Sequence, residues 1–228
     1  MMHTLPRRPL PVLLDFDGVI VDSVRLKAHA FLDIYRQEDA ASLVRVHEYV
    51  SRQGGVARGI KFAHLERQVF GRQGDDASVA RLCLRYAQLV HEAVVACPFV
   101  AGAERFLEAA SQKTELHLVS GTPHDELVDI VERRGLARCF KSLQGAPMTK
   151  PQAFAAIVDR NGYASARVVT VGDAVTEYEA ARASRSLDPI GVDPRSRRLR
   201  ISQATQEQGT CTTKARRVMT ARASSRNR

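Results

Sequence analysis

The chain has 228 residues, 44% apolar and 26% charged, which suits a globular protein with room for one α/β domain and a smaller inserted one. No run approaches the roughly 18 apolar residues of a membrane span, and Cys83, Cys97, Cys139 and Cys211 form neither a CxxC pair nor a zinc-ligand spacing. The net charge of +9 belongs to the end of the chain: from Arg195 on there are ten Lys/Arg against Glu207 alone, which leaves 24 basic and 24 acidic residues in 1–194, so the charge says nothing about partners of the folded part.

The start, MMHTLPRRPLPVLLDFD, has two arginines before an apolar stretch, as a secretion signal does. The stretch is about five residues long and ends in acids, so it reads as a buried strand over 11–15 (PVLLD), and the expected compartment is the cytoplasm. Further strands are expected at 115–119 (ELHLV), 167–171 (RVVTV) and 190–192 (IGV). A Gly-containing turn follows the second and third, and then helical periodicity, carried by Leu127, Val128, Ile130, Val131 and Leu136 in one case and by Tyr178, Ala180 and Ala181 in the other. Continuous apolar strands alternating with helices point to an α/β fold with a doubly wound, Rossmann-like parallel sheet.

Between the first two strands the periodicity is helical, through Leu26, Ala30, Phe31, Ile34 and Tyr35, then Leu43 to Val50, then Phe62, Leu65, Val69 and Phe70, and finally Val79 to Val94. Gly54-Gly55 and the stretch from Gly71 to Asp76 break it. Some seventy residues of helix exceed any simple crossover, so 21–96 is read as an inserted helical domain on a core made of 1–20 and 97–194. Residues 195–228 lack apolar periodicity and are expected to be a basic, disordered tail. With no aromatic residue to stack on bases, that tail is a weak candidate for binding nucleic acid.

Four clusters can carry chemistry. Asp15-Phe16-Asp17-Gly18-Val19 ends the first strand; two carboxylates so close repel each other and call for a hard cation such as Mg²⁺, although an acidic turn capping the next helix has the same pattern. Val119-Ser120-Gly121-Thr122 follows the second strand and offers hydroxyl and N–H groups to a phosphate, or is a common serine turn. Thr149-Lys150-Pro151 places one lysine before a helix, where most lysines are simply solvated. After the third strand, Asp173 and Glu177 stand one helical turn apart. All four lie at the carboxyl ends of strands, where ligands bind in such sheets.

DFDGVIVDS, LVSGTP, TKP and VGDAVTEYEAA resemble, in order, the four motifs of the haloacid dehalogenase superfamily. The resemblance spans residues 11–193, and the helical insert resembles that family's type 1 cap; the subgroup it suggests is the phosphoglycolate phosphatase and β-phosphoglucomutase-like one. It implies that Asp15 attacks phosphorus to form an aspartyl-phosphate and that Asp17 serves as general acid and base. It implies Mg²⁺ held by the Asp15 and Asp173 carboxylates and the Asp17 carbonyl, with Glu177 in the outer shell. Ser120, Gly121 and Lys150 would neutralise the phosphoryl oxygens. An acid at position 17 favours phosphate esters, since a halide leaving group needs no proton. Two departures stand out: Glu177 occupies a position where the family often has Asp, and the chain after Ala183 lacks the family's Gly-bearing turn.

The expected activity is Mg²⁺-dependent hydrolysis of a small phosphorylated metabolite, a sugar phosphate or a phosphoglycolate-like compound. The alternatives are a phosphosugar mutase and a non-catalytic or nucleic-acid-associated protein that keeps the fold. In the insert, the turn from Gln53 to Arg58, with Arg58 and Lys61 as cations for an anionic substrate group, is the expected substrate contact, and His124 is a residue for the entrance or the surface. No membrane partner is expected, and nothing in the sequence fixes an oligomeric state.

Overall fold

The computed structural model describes residues 9–183, 190–192 and 199–201. Six strands form one sheet: β1 (Val12–Leu14), β2 (Leu116–Pro123), β3 (Ser142–Ala146), β4 (Val169–Gly172), β5 (Ile190–Val192) and β6 (Leu199–Ile201). Their order is β3-β2-β1-β4-β5-β6; the first five run parallel, and β6 pairs antiparallel with β5. The fold is the doubly wound α/β arrangement that the sequence pattern predicts. The order reverses at β1, which pairs with β2 through Val12↔Leu116 and with β4 through Val12↔Val169. Loops leaving β1 and β4 therefore diverge and open the crevice where such sheets bind ligands.

Burial on both faces explains the apolar runs. Leu13 packs with Phe154 and Ile157 of α7 (Lys150–Asn161) and Ala180 of α8 (Val175–Ala183). Its neighbours Val12 and Leu14 join the opposite cluster, with Leu107 of α5 (Ala103–Ser111) and Leu127 and Ile130 of α6 (His124–Arg133). Four elements depart from the expectations. The strand β3 and helix α5 were not foreseen; β3 is a half-buried edge strand whose sequence, SLQGA, has no apolar run. Strand β2 continues through Ser-Gly-Thr-Pro, where a turn was expected, because it pairs with β3 as far as Pro123↔Ala146 across a register shift. Leu199–Ile201 form β6 inside the segment read as a disordered tail; the rest of 195–228 lies outside the described residues.

Helices α1 (Val24–Ile34), α2 (Ala40–Arg52), α3 (Arg58–His64) and α4 (Asp76–Val95) make up the insert, with a π-turn over Leu65–Val69. Asp39 and Asp75 cap α2 and α4 by accepting from the Ser42 and Ser78 N–H groups. Phe31, Phe62 and Tyr86 pack ring on ring at its centre, with centroids 4.7–5.9 Å apart. Two chain segments join the insert to the sheet, and they pair with each other. The Asp22 N–H donates to the Pro98 carbonyl, the Val100 N–H donates to the Ile20 carbonyl, and Val21 bridges Phe99 antiparallel. A polar seam ties α4 to α6: Arg133 grips Glu92 with both terminal nitrogens, and His91 lies 2.7 Å from Asp129.

Candidate active site

Each acidic residue is placed by the backbone that precedes it. The Asp15 N–H donates to the Val171 carbonyl, so Asp15 still belongs to the sheet when its side chain reaches the crevice. Beyond it the chain winds tightly. The Ile20 and Val21 N–H groups both donate to the Phe16 carbonyl, with Gly18 at φ +74°. A Cβ on Gly18 would stand 2.1 Å from the Asp173 carboxylate, so glycine is what lets the β1 and β4 loops meet. Gly172 ends β4 under the Glu177 side chain, which a Cβ would strike at 2.1 Å.

Asp15 is 4% exposed, Glu177 2% and Lys150 6%. The Lys150 ammonium donates to Asp15 Oδ2 at 2.9 Å and also contacts Glu177. Lys150 is the first residue of α7, whose start is set by a capping box between Thr149 and Gln152 with Pro151 in the first turn. Glu177 Oε2 also accepts from the Ala174 N–H at 3.0 Å. Burial pushes the Asp15 carboxyl above its ordinary value, Lys150 opposes that rise, and Asp17 adds to it. Asp173 is pushed up to about 7, first by burial and then by the charge of Asp15. The carboxylates are thus crowded beyond what one lysine neutralises.

One oxygen each from Asp15, Asp173 and Glu177 lies within 4.8 Å of the others. An all-oxygen donor set at that spacing, with the Asp15 and Asp173 carboxyls raised, suits a small hard dication. Glu177 is already engaged by Lys150 and a backbone N–H, which suits contact through water better than direct ligation.

Asp17 has a different environment. Lys27 of α1 donates to its Oδ2 at 2.7 Å and to Thr122 Oγ1 at 2.9 Å, while Ser23 donates to Oδ1. Burial works to raise the Asp17 carboxyl, but the Lys27 charge and these hydrogen bonds outweigh it and hold the group below its ordinary value. Sequence reading missed Lys27. The available signal was its place four residues after Ser23, which puts both on one side of α1 facing the strand end. Ser120 is buried in β2 and accepts from the Thr122 N–H through Oγ at 3.1 Å.

The Gly54-Gly55 turn of the insert closes over this crevice. Gly55 has φ +72°, and a Cβ there would lie 2.2 Å from Thr176 Oγ1 and 2.7 Å from the Lys150 ammonium. A Cβ on Gly121 would come within 2.6 Å of the Gly55 carbonyl oxygen. Thr176 also donates to the Gly54 carbonyl at 3.3 Å. Arg58 is not placed as expected. Both its terminal nitrogens grip Glu126 of α6, at 3.1 and 2.6 Å, so it joins insert to core instead of awaiting a substrate anion. His124 begins α6, its Nδ1 accepting from the Gly145 N–H at 3.4 Å on the β3 side. No helix of the described residues is long and apolar enough to cross a membrane.

The profile described as haloacid dehalogenase-like hydrolase matches residues 12–185, which include every strand-end residue described above. The chain is a haloacid dehalogenase-like hydrolase. Among its relatives, the phosphoglycolate phosphatase of Synechococcus elongatus is 28% identical over 181 residues, 75% of this chain and 78% of the relative. Solved haloacid dehalogenase-like structures share the fold. A protein from Haemophilus somnus, named as a predicted phosphoglycolate phosphatase, superimposes with a TM-score of 0.64 at 17% identity, covering 83% of this chain and 87% of its own. YfnB of Bacillus subtilis, assigned to the same hydrolases and crystallised with magnesium, gives 0.62 at 17% identity over 82% and 90%.

Proposed function

We propose that this hydrolase is a Mg²⁺-dependent phosphatase acting on a small phosphorylated metabolite, a sugar phosphate or a phosphoglycolate-like compound. One observation carries the reading: a buried carboxylate, Asp15, lies 2.9 Å from a buried lysine, with a second carboxylate, Asp17, held in a separate hydrogen-bond network two residues on. A lone acidic cluster would bind a cation; a nucleophile, a proton carrier and a phosphate-neutralising cation on one strand edge support phosphoryl transfer.

Asp15 attacks phosphorus through the oxygen not held by the Phe16 N–H, which donates to Oδ1 at 2.7 Å. The ester P–O bond breaks as the aspartyl-phosphate forms; Asp17, after taking up a proton from solvent in place of the Lys27 hydrogen bond, delivers it to the departing oxygen. Asp17 then takes a proton from water, which attacks phosphorus, releases phosphate and restores the Asp15 carboxylate. Lys150, the Ser120 hydroxyl and the Gly121 N–H stabilise the charge on the phosphoryl oxygens. Mg²⁺, when bound by Asp15, Asp173 and the Asp17 carbonyl with Glu177 outside, supplies charge neutralisation for that group. The insert, read as a cap over 21–96, excludes water through its Gly54-Gly55 turn.

The decisive assay measures p-nitrophenyl phosphate hydrolysis with Mg²⁺. Asp15→Asn is expected to lower kcat by at least about a thousandfold. Equal activity of variant and wild type would end the reading. A mutase remains the second possibility, and free phosphate rather than isomerised sugar phosphate as the product of a hexose 1-phosphate excludes it.

A further inference from the structure

Four cations approach the crevice, and three are engaged. Lys150 serves Asp15 and Glu177, Lys27 serves Asp17 and Thr122, and Arg58 serves Glu126. The fourth is Lys61, one helical turn after Arg58 on α3. Among the described residues no carboxylate lies within ion-pair distance of it. Its ammonium stands 5.6 Å over the ring of Phe31, which is only 2% exposed, and it feels the charges of Lys27, Asp17, Lys150 and Asp15.

We propose that Lys61 determines specificity, selecting phosphate monoesters whose leaving group carries a carboxylate close to the ester oxygen. The proposal rests on the phosphatase reading above and names its substrate class as phosphorylated hydroxy acids. A lysine ammonium withdrawn from water without an anion is costly, and that cost is relieved when a ligand brings the anion. Burial, and then the repulsion of Lys27, pushes Lys61 down to about 8, so an anion beside it also restores its charge.

The geometry limits what that anion can be. The Gly54-Gly55 turn packs on Thr176, Lys150 and Gly121, and α3 begins three residues after Gly55, so Lys61 sits on the helix that leaves the turn over the phosphoryl site, within the field of Asp15, Asp17 and Lys150. One ammonium with no second free cation beside it among the described residues matches the single charge of a carboxylate better than a phosphate dianion. A neutral sugar would leave Lys61 half-buried and without an anion.

The test compares steady-state hydrolysis of 2-phosphoglycolate with that of ethyl phosphate, which has the same carbon count and no carboxylate. Wild type with Mg²⁺ is expected to favour the acid at least about tenfold in kcat/KM. Lys61→Met and Lys61→Gln should reduce that preference to within about twofold, through KM on the acid, while Lys61→Arg keeps most of it. Ethyl phosphate turnover reports folding in each variant, and Lys61→Gln keeps the stem and a polar head should Lys61→Met misfold. Wild type with no preference for the acid, or a preference unchanged in both Met and Gln variants, overturns the role of Lys61 alone. Wild type inert on both esters but active on p-nitrophenyl phosphate overturns the Lys61 assignment alone, and wild type inert on all three overturns the phosphatase reading with it.

Discussion

The core brings the carboxylates of one crevice together with a single cation, Lys150, whereas the helical insert brings cations alone. The loops after β1 and β4 bring Asp15, Asp17, Asp173 and Glu177, and Asp173 is held up to about 7, first by burial and then by the charge of Asp15. The insert brings Lys27 and Lys61 and, at its nearest approach, only glycine backbone. The anions and Lys150 are fixed by the sheet and by the core helices α7 and α8, whereas Lys27 and Lys61 ride on helices joined to the sheet by two chain segments. In the proposed reaction, chemistry would belong to the core, and selection and closure to the insert.

Three perturbations test this division. The largest effect is expected from Gly55→Val. The added side chain would overlap Thr176 and the Lys150 ammonium, so kcat/KM should drop about a hundredfold. Mg²⁺ affinity measured by calorimetry should change by less than about threefold, because every ligand proposed for it lies in the core. If metal affinity fell in step with activity, the two functions would not be separable.

A smaller effect follows from Asp173. Its carboxyl is raised in the metal-free protein, so below about pH 7 a proton occupies it and must leave before a cation binds. The Mg²⁺ dissociation constant should weaken by up to about tenfold per pH unit from 7 down to 5 and level off above 7. A flat titration across that range would show that the strand-end anions are not crowded as described.

The smallest effect concerns the join itself. Arg58 and Glu126 are 14% and 10% exposed and doubly bonded across the two halves. A double-mutant cycle with Arg58→Ala and Glu126→Ala, read by urea unfolding, should give a coupling of about 1–2 kcal/mol. No coupling would mean that closure rests on the glycine turn alone.

The legible and illegible parts of this molecule differ in how local their causes are. Strands β1, β2 and β4 were readable because helices cover both faces, and a five-residue apolar run is the trace this leaves. Strand β3 was not, since an edge strand half open to water needs no such run. Asp15, Lys150 and Asp173 stood out because each follows or begins a recognisable element. Lys27 reaches Asp17 from a helix that starts beside it, and only the spacing from Ser23 hints at that. The partner of Arg58 lies 68 residues away on α6, where no pattern in the sequence connects them.

The paired segments at Asp22–Pro98 and Ile20–Val100 have a mechanical consequence. Two antiparallel strands held by hydrogen bonds resist sliding past one another, yet bend readily out of their common plane. Any opening of the insert would have to break the Arg58–Glu126 and Arg133–Glu92 grips, and it would carry Gly55, Lys27 and Lys61, all beyond the ribbon, away together.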